Sequence, residues 1–124
     1  MSIPYTSFDF DGTLYDPLHD SIIPETYELV QQLIKDKAPI CITTLRGENE
    51  TDKIKELFPD IEIFATNGFN KVICLRKYIP VPIAIHYDDD LGTCIALMQT
   101  RIKPIWVRNE RIREGIKRLK TLDI

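Results

Sequence analysis

Five short apolar runs, rich in branched residues, recur along the chain, and each is followed by a segment patterned as a helix. The runs fall at 5–10 (YTSFDF), 39–44 (PICITT), 61–66 (IEIFAT), 81–87 (VPIAIHY) and 104–107 (PIWV). Helices are expected at 24–36, 48–58, 70–79, 92–101 and 110–122. In the first, Pro24 sits near the first turn and Leu29, Val30, Leu33 and Ile34 share a face. In the last, Ile112, Ile116 and Leu119 are in helical register. A continuously apolar strand such as PICITT suits a sheet covered on both sides. Regular strand–helix alternation then gives one solution, a parallel sheet wound with right-handed crossovers. The expected fold is an α/β, Rossmann-like three-layer sandwich. Its five-stranded, mainly parallel sheet has helices on both faces, and one domain fills residues 1–124.

A chain of 124 residues has room for one core and little else. The net charge of -3 gives no global attraction for nucleic acid, so any such binding must be local. No apolar run is long enough to cross a bilayer, and the start MSIPYTSF lacks the basic-then-apolar layout of a secretory signal. The expectation is a cytoplasmic protein with no membrane partner. Cys41, Cys74 and Cys94 sit in apolar segments without CxxC or Cys/His spacing, as buried reduced thiols do.

In sheets of this kind ligands bind beyond the carboxyl ends of the strands, and the polar residues collect there. Asp9 and Asp11 end the first strand; Thr43, Thr44 and Arg46 end the second. Asn67 and Gly68 follow the third, and the fourth runs into Asp88, Asp89 and Asp90. Carboxylates from two strands facing each other across a narrow gap repel unless one is protonated or a cation lies between them. Two or three carboxylates completed by water and phosphate oxygens are the ligands that Mg²⁺ prefers. Gly12 permits a tight turn that brings backbone N–H groups close to an anion. Such a site suits attack of a carboxylate on phosphorus, with a second carboxylate moving protons.

The run DFDGT after the first strand resembles the first motif of the haloacid dehalogenase superfamily, Asp-x-Asp-Gly-Thr. The resemblance covers essentially the whole chain. It implies that Asp9 is the nucleophile and a metal ligand. It likewise implies that Asp11 is the general acid/base, with its backbone carbonyl on the metal, and an Asp there marks a phosphatase or phosphotransferase rather than a dehalogenase. The family's second motif, a Thr or Ser, falls on Thr44, with Thr43 as the alternative, because Thr44-x-Arg46 resembles the Ser/Thr-x-Arg of some members. The basic residue of its third motif falls on Lys71, with Lys77 as the fallback. By the fourth motif, Asp89 binds the metal with Asp88 beside it, Asp90 belongs to a helix N-terminus, and Thr93 stands where members carry a second acid. The resemblance further implies that Gly12, Thr43 and Arg46 contact the substrate and that Mg²⁺ is the cofactor. Neither gap that holds a cap domain in relatives has room for one, which implies a capless member.

An open site suits phosphate on something large. Arg46 resembles the arginine after the second motif in the phosphatase half of polynucleotide kinase-phosphatases, which points to nucleic-acid 3′-phosphate ends. Arg46 equally suits pairing with Glu48 or Glu50, and the basic residues Lys117, Arg118 and Lys120 suit a helix C-terminus. His19 reads as a solvated loop residue near the site and Trp106 as core. The competing functions are a phosphatase for a small phosphorylated metabolite and a non-catalytic binding module on the same fold.

Overall fold

A computed structural model describes the backbone of residues 3–112 and 115–123 and the side chains of residues 3–108. Strand β1 (Tyr5–Phe8) leads through a small antiparallel ribbon, β2 (Tyr15–Asp16) and β3 (Ser21–Ile22), into helix α1 (Pro24–Lys35). Then follow β4 (Ile40–Thr44), a 3₁₀ turn (Glu48–Glu50), α2 (Asp52–Leu57) and β5 (Glu62–Ala65). Helix α3 (Lys71–Ile73) continues as a π-helical turn (Cys74–Tyr78) before β6 (Ile83–Asp88) and α4 (Leu91–Leu97). The chain closes with β7 (Lys103–Ile112) and β8 (Gly115–Asp123).

The main sheet has the order β5-β4-β1-β6-β7-β8; β8 runs antiparallel to β7 and the other neighbours pair in parallel. The chain therefore winds outward from β1 through β4 to β5, returns to the other side of β1 with β6, and winds outward again. Two apolar layers sandwich the sheet. Phe8, Phe10, Val30, Ile42, Ile54 and Phe58 cluster under α1 and α2. Cys41, Leu75, Ile83, Leu97 and Ile102 cluster under the π-helical turn and α4. The period of two explains the division: Ile42 and Cys41 are neighbours in β4 and face opposite layers.

The α/β sandwich expected from the sequence is the fold observed, with one correction. Of the residues expected as the last helix, 110–112 end β7 and 115–122 lie in β8, which pairs with β7 from Ile105↔Asp123 to Ile112↔Gly115. The physical reason is the sheet edge. Without β8, the outer side of β7 would be a row of unpaired N–H and C=O groups, and the returning chain satisfies them. The side chains of Lys117, Arg118 and Lys120, expected near a helix C-terminus, lie outside the described residues. Trp106, expected in the core, is only half-buried. No helix among the described residues is long and apolar enough to cross a membrane.

Candidate active site

The winding reverses between β1 and β6, and it is outside the carboxyl ends of the strands at such a point that α/β sheets bind ligands. Phe8 and Tyr87 pair in register and stack at 4.5 Å, and the Asp9 N–H donates to the Tyr87 carbonyl at 2.8 Å. That pairing brings the residue after β1 beside the residues that end β6. Asp9, Asp88 and Asp89 each offer a carboxylate oxygen, and the three oxygens lie within 4.8 Å of one another. Asp9 is 6% exposed and Asp88 1%, so water screens neither charge well.

Lys71, the first residue of α3, reaches into this acidic group. Its Nζ donates to Asp9 Oδ1 at 2.6 Å and to Asp88 Oδ2 at 3.0 Å. Thr13 adds an O–H donor to Asp9 Oδ2 at 3.2 Å. Asp88 accepts further from His86 Nε2 at 2.8 Å, on Oδ2, and from the Asp90 N–H at 3.0 Å, on Oδ1. Burial pushes Asp9 well above the usual carboxylate range; Lys71 opposes the shift and the Asp88 charge adds to it. Asp89 is raised as well, by burial first. Asp88 moves the other way: burial would raise it, but the His86 hydrogen bond and the Lys71 charge hold it well below the usual range. For Lys71, burial would lower the ammonium, and the Asp9 and Asp88 charges hold it above its ordinary value.

Gly12 follows with φ +82°. A Cβ built there would lie 2.1 Å from Asp89 Oδ2, so only glycine lets the turn and that carboxylate share the space. Asp90 stands apart from the cluster and caps α4, accepting the Thr93 N–H at 3.0 Å and the Thr93 hydroxyl at 2.6 Å. The Thr93 hydroxyl is thus engaged at the cap.

The remaining expected residues divide. Lys71 joins the cluster, whereas Lys77 is exposed on the π-helical turn. The Asp11 carboxylate is turned to Arg46, which donates from Nε and Nη2 at 2.8 Å each. Arg46 also donates to the Glu50 carbonyl oxygen at 3.1 Å, so its partners are Asp11 and a backbone group rather than the Glu48 or Glu50 carboxylates. The Thr44 hydroxyl accepts the Arg46 N–H at 3.2 Å. The Thr43 hydroxyl, fully buried, lies 2.7 Å from the Ser7 hydroxyl. His19 lies 2.6 Å from the Asp16 carboxylate in its own loop.

Sequence reasoning gave Thr13, Ser7 and His86 no role of their own and placed Trp106 in the core. Trp106 donates its indole N–H to the Asp89 carbonyl oxygen at 3.1 Å, fixing the backbone that carries a cluster carboxylate. The available signal was polar residues at every second position of otherwise apolar strands: Ser7 then Asp9, and His86 then Asp88.

No family model matches the chain, and no curated protein matches it.

Proposed function

We propose that this chain is a Mg²⁺-dependent phosphomonoester hydrolase of the haloacid dehalogenase type that works through a phosphorylated Asp9. The observation that carries the reading is the meeting of Asp9, Asp88 and Asp89 from two adjacent strand ends, with Lys71 bridging Asp9 and Asp88. Three like charges at such range, mostly withdrawn from water, need compensation, and one ammonium does not balance them.

The donor set fits a hard divalent cation: all three groups are carboxylates and Gly12 leaves the space in front of Asp89 free of a side chain. Asp88 already accepts from Lys71, His86 and the Asp90 N–H. Asp9 and Asp89 are therefore the first candidates to hold the ion, with Asp88 behind them. A bound Mg²⁺ would supply positive charge that ionises buried carboxyls and neutralises phosphoryl oxygens.

The chain's own residues supply the rest. The Asp9 carboxylate attacks phosphorus, forming an acyl phosphate as the ester oxygen leaves. Asp11 gives its proton to that oxygen and, now a carboxylate, takes a proton from the water that attacks phosphorus in the second step. The Asp9–phosphorus bond breaks, Asp9 returns as carboxylate and inorganic phosphate departs. Lys71 stays beside the reacting oxygen of Asp9 and balances charge on the transferring group.

The substrate is less constrained than the chemistry. Arg46, which pointed to nucleic-acid 3′-phosphate ends, is engaged with Asp11, so a large phosphorylated substrate and a small metabolite enter the test together. The test is phosphate release from p-nitrophenyl phosphate and from a 3′-phosphorylated oligonucleotide, with Mg²⁺ or with EDTA, beside Asp9→Asn. Turnover that needs Mg²⁺ and vanishes in Asp9→Asn is expected. Turnover that survives in Asp9→Asn, or none on either substrate with Mg²⁺, would sink the reading.

A further inference from the structure

Behind the acidic cluster runs a second set of polar groups, wholly inside the sheet. His86, Ser7 and Thr43 are each 0% exposed. They sit on three adjacent strands, β6, β1 and β4, and Ser7 pairs in register with both His86 and Cys41. The period of two then places Thr43, Ser7 and His86 on one face, with Asp9 and Asp88 one step further along β1 and β6. His86 Nε2 lies 2.8 Å from Asp88 Oδ2 and Nδ1 lies 3.0 Å from Ser7 Oγ. Ser7 Oγ lies 2.7 Å from Thr43 Oγ1. Apolar residues are the rule in central parallel strands, and a buried polar chain is costly unless every member is satisfied. This one is satisfied at every link.

The donors can be ordered. An ionised Asp88 only accepts, so His86 Nε2 carries the proton directed at it. In a neutral ring Nδ1 then accepts from the Ser7 O–H, and the Ser7 oxygen accepts from the Thr43 O–H. The chain ends on the oxygen that also receives Lys71 Nζ. With the Asp90 N–H on Oδ1, the Asp88 carboxylate is held by three donors from three directions.

We propose that His86 is a positioning residue: backed by Ser7 and Thr43, it fixes the Asp88 carboxylate and thereby aims the Lys71 ammonium at Asp9. The kinetic side of this rests on the phosphatase reading above; the geometric side does not. A merely structural histidine would change stability and leave the folded enzyme's chemistry alone.

The experiment uses the full chain. Long-range ¹⁵N–¹H correlation reads which nitrogen of His86 is protonated, and with two histidines in the chain a His19→Gln variant completes the assignment. Protonation on Nε2 and not on Nδ1 is expected, together with a slowly exchanging Lys71 ammonium resonance. His86→Leu removes the donor to Asp88 and His86→Gln returns one. In His86→Leu the Lys71 resonance should broaden or vanish, and kcat for p-nitrophenyl phosphate with Mg²⁺ should fall by about 10- to 100-fold with KM little changed. His86→Gln should recover much of that loss. Should His86→Leu not fold, Ser7→Ala and Thr43→Val each remove one link at nearly constant volume, and each should lower kcat by a smaller factor. A ring protonated on Nδ1 alone, or folded His86→Leu with wild-type kcat and an unchanged Lys71 resonance, would overturn the proposal. If the wild type shows no turnover at all, the phosphatase reading fails, and the tautomer and the Lys71 resonance still decide the role of His86.

Discussion

Arg46 grips Asp11 through two parallel hydrogen bonds, Nε to Oδ2 and Nη2 to Oδ1, each 2.8 Å long. The guanidinium lies over the Phe10 ring at 5.1 Å and donates to the Glu50 carbonyl, so the pair is anchored to the loop after β4 and to the core beneath β1. If Asp11 moves the proton, this grip sets where it waits between turnovers. Arg46→Lys keeps the charge and loses the fork. Steady-state kinetics on p-nitrophenyl phosphate should show kcat down about tenfold in Arg46→Lys with KM little changed, against a loss of about 10²–10⁴ in Asp11→Asn. A raised KM with unchanged kcat in Arg46→Lys would make Arg46 a substrate contact instead.

Asp9 predicts a trade of stability for function. Its folded pKa is raised from an ordinary value near 3.8, so the folded protein holds that proton more tightly than the unfolded chain does. The stability involved is full below about 3.8 and is lost as pH rises through the folded value. Asp88, held low, has the opposite sign: it stabilises above its ordinary value and the benefit is lost as pH falls through the lower folded one. Asp9→Asn removes the first effect and with it the Asp9 half of the Lys71 ion pair, while Lys71 keeps Asp88. In EDTA near neutral pH the variant should melt higher than wild type, by about 4 °C for each kcal/mol recovered, and the gap should close toward pH 4. Adding Mg²⁺ should reverse the order, because an ion bound only to the folded wild type contributes about 2.7 kcal/mol at a hundred times its Kd. Equal melting shifts with Mg²⁺ in both proteins would remove Asp9 from the metal site.

The thiols offer a test of the core. Burial pushes Cys41 up to about 11 and Cys94 up to about 12, and raises Cys74 as well. A thiolate is the reacting species, so none of the three should react with a disulfide reagent within minutes near pH 7 in the folded protein, and all should react in denaturant. Rapid labelling of one site without denaturant would show that its layer opens locally.

The strand–helix alternation is readable because each strand is short, apolar and bounded by polar residues, and the acidic pairs at two strand ends follow from the same pattern. Two things are not readable. The segment 110–122 carries Ile112, Ile116 and Leu119 at helical spacing, yet 110–112 and 115–122 are strand because β7 presents an open edge, a fact of tertiary structure. The polar chain of Ser7, Thr43 and His86 is visible only as residue types. Which strands are neighbours decides that they touch, and the order β4-β1-β6 is not written in any one segment.

Gly12 and Gly68 provide a matched pair of substitutions. Both have positive φ, +82° and +78°, so alanine strains the backbone by about 1–2 kcal/mol at either position. A Cβ at Gly68 meets nothing within 4 Å, while one at Gly12 meets Asp89 Oδ2 at 2.1 Å. Strain therefore cancels in the comparison, and what remains is displacement of the Asp89 carboxylate. Gly12→Ala should lose both the Mg²⁺-dependent melting shift and turnover. Gly68→Ala should melt lower by the strain alone and retain the Mg²⁺ shift. Isothermal titration with Mg²⁺ on both variants reads the difference directly, and equal affinity in the two would mean that Asp89 does not hold the ion.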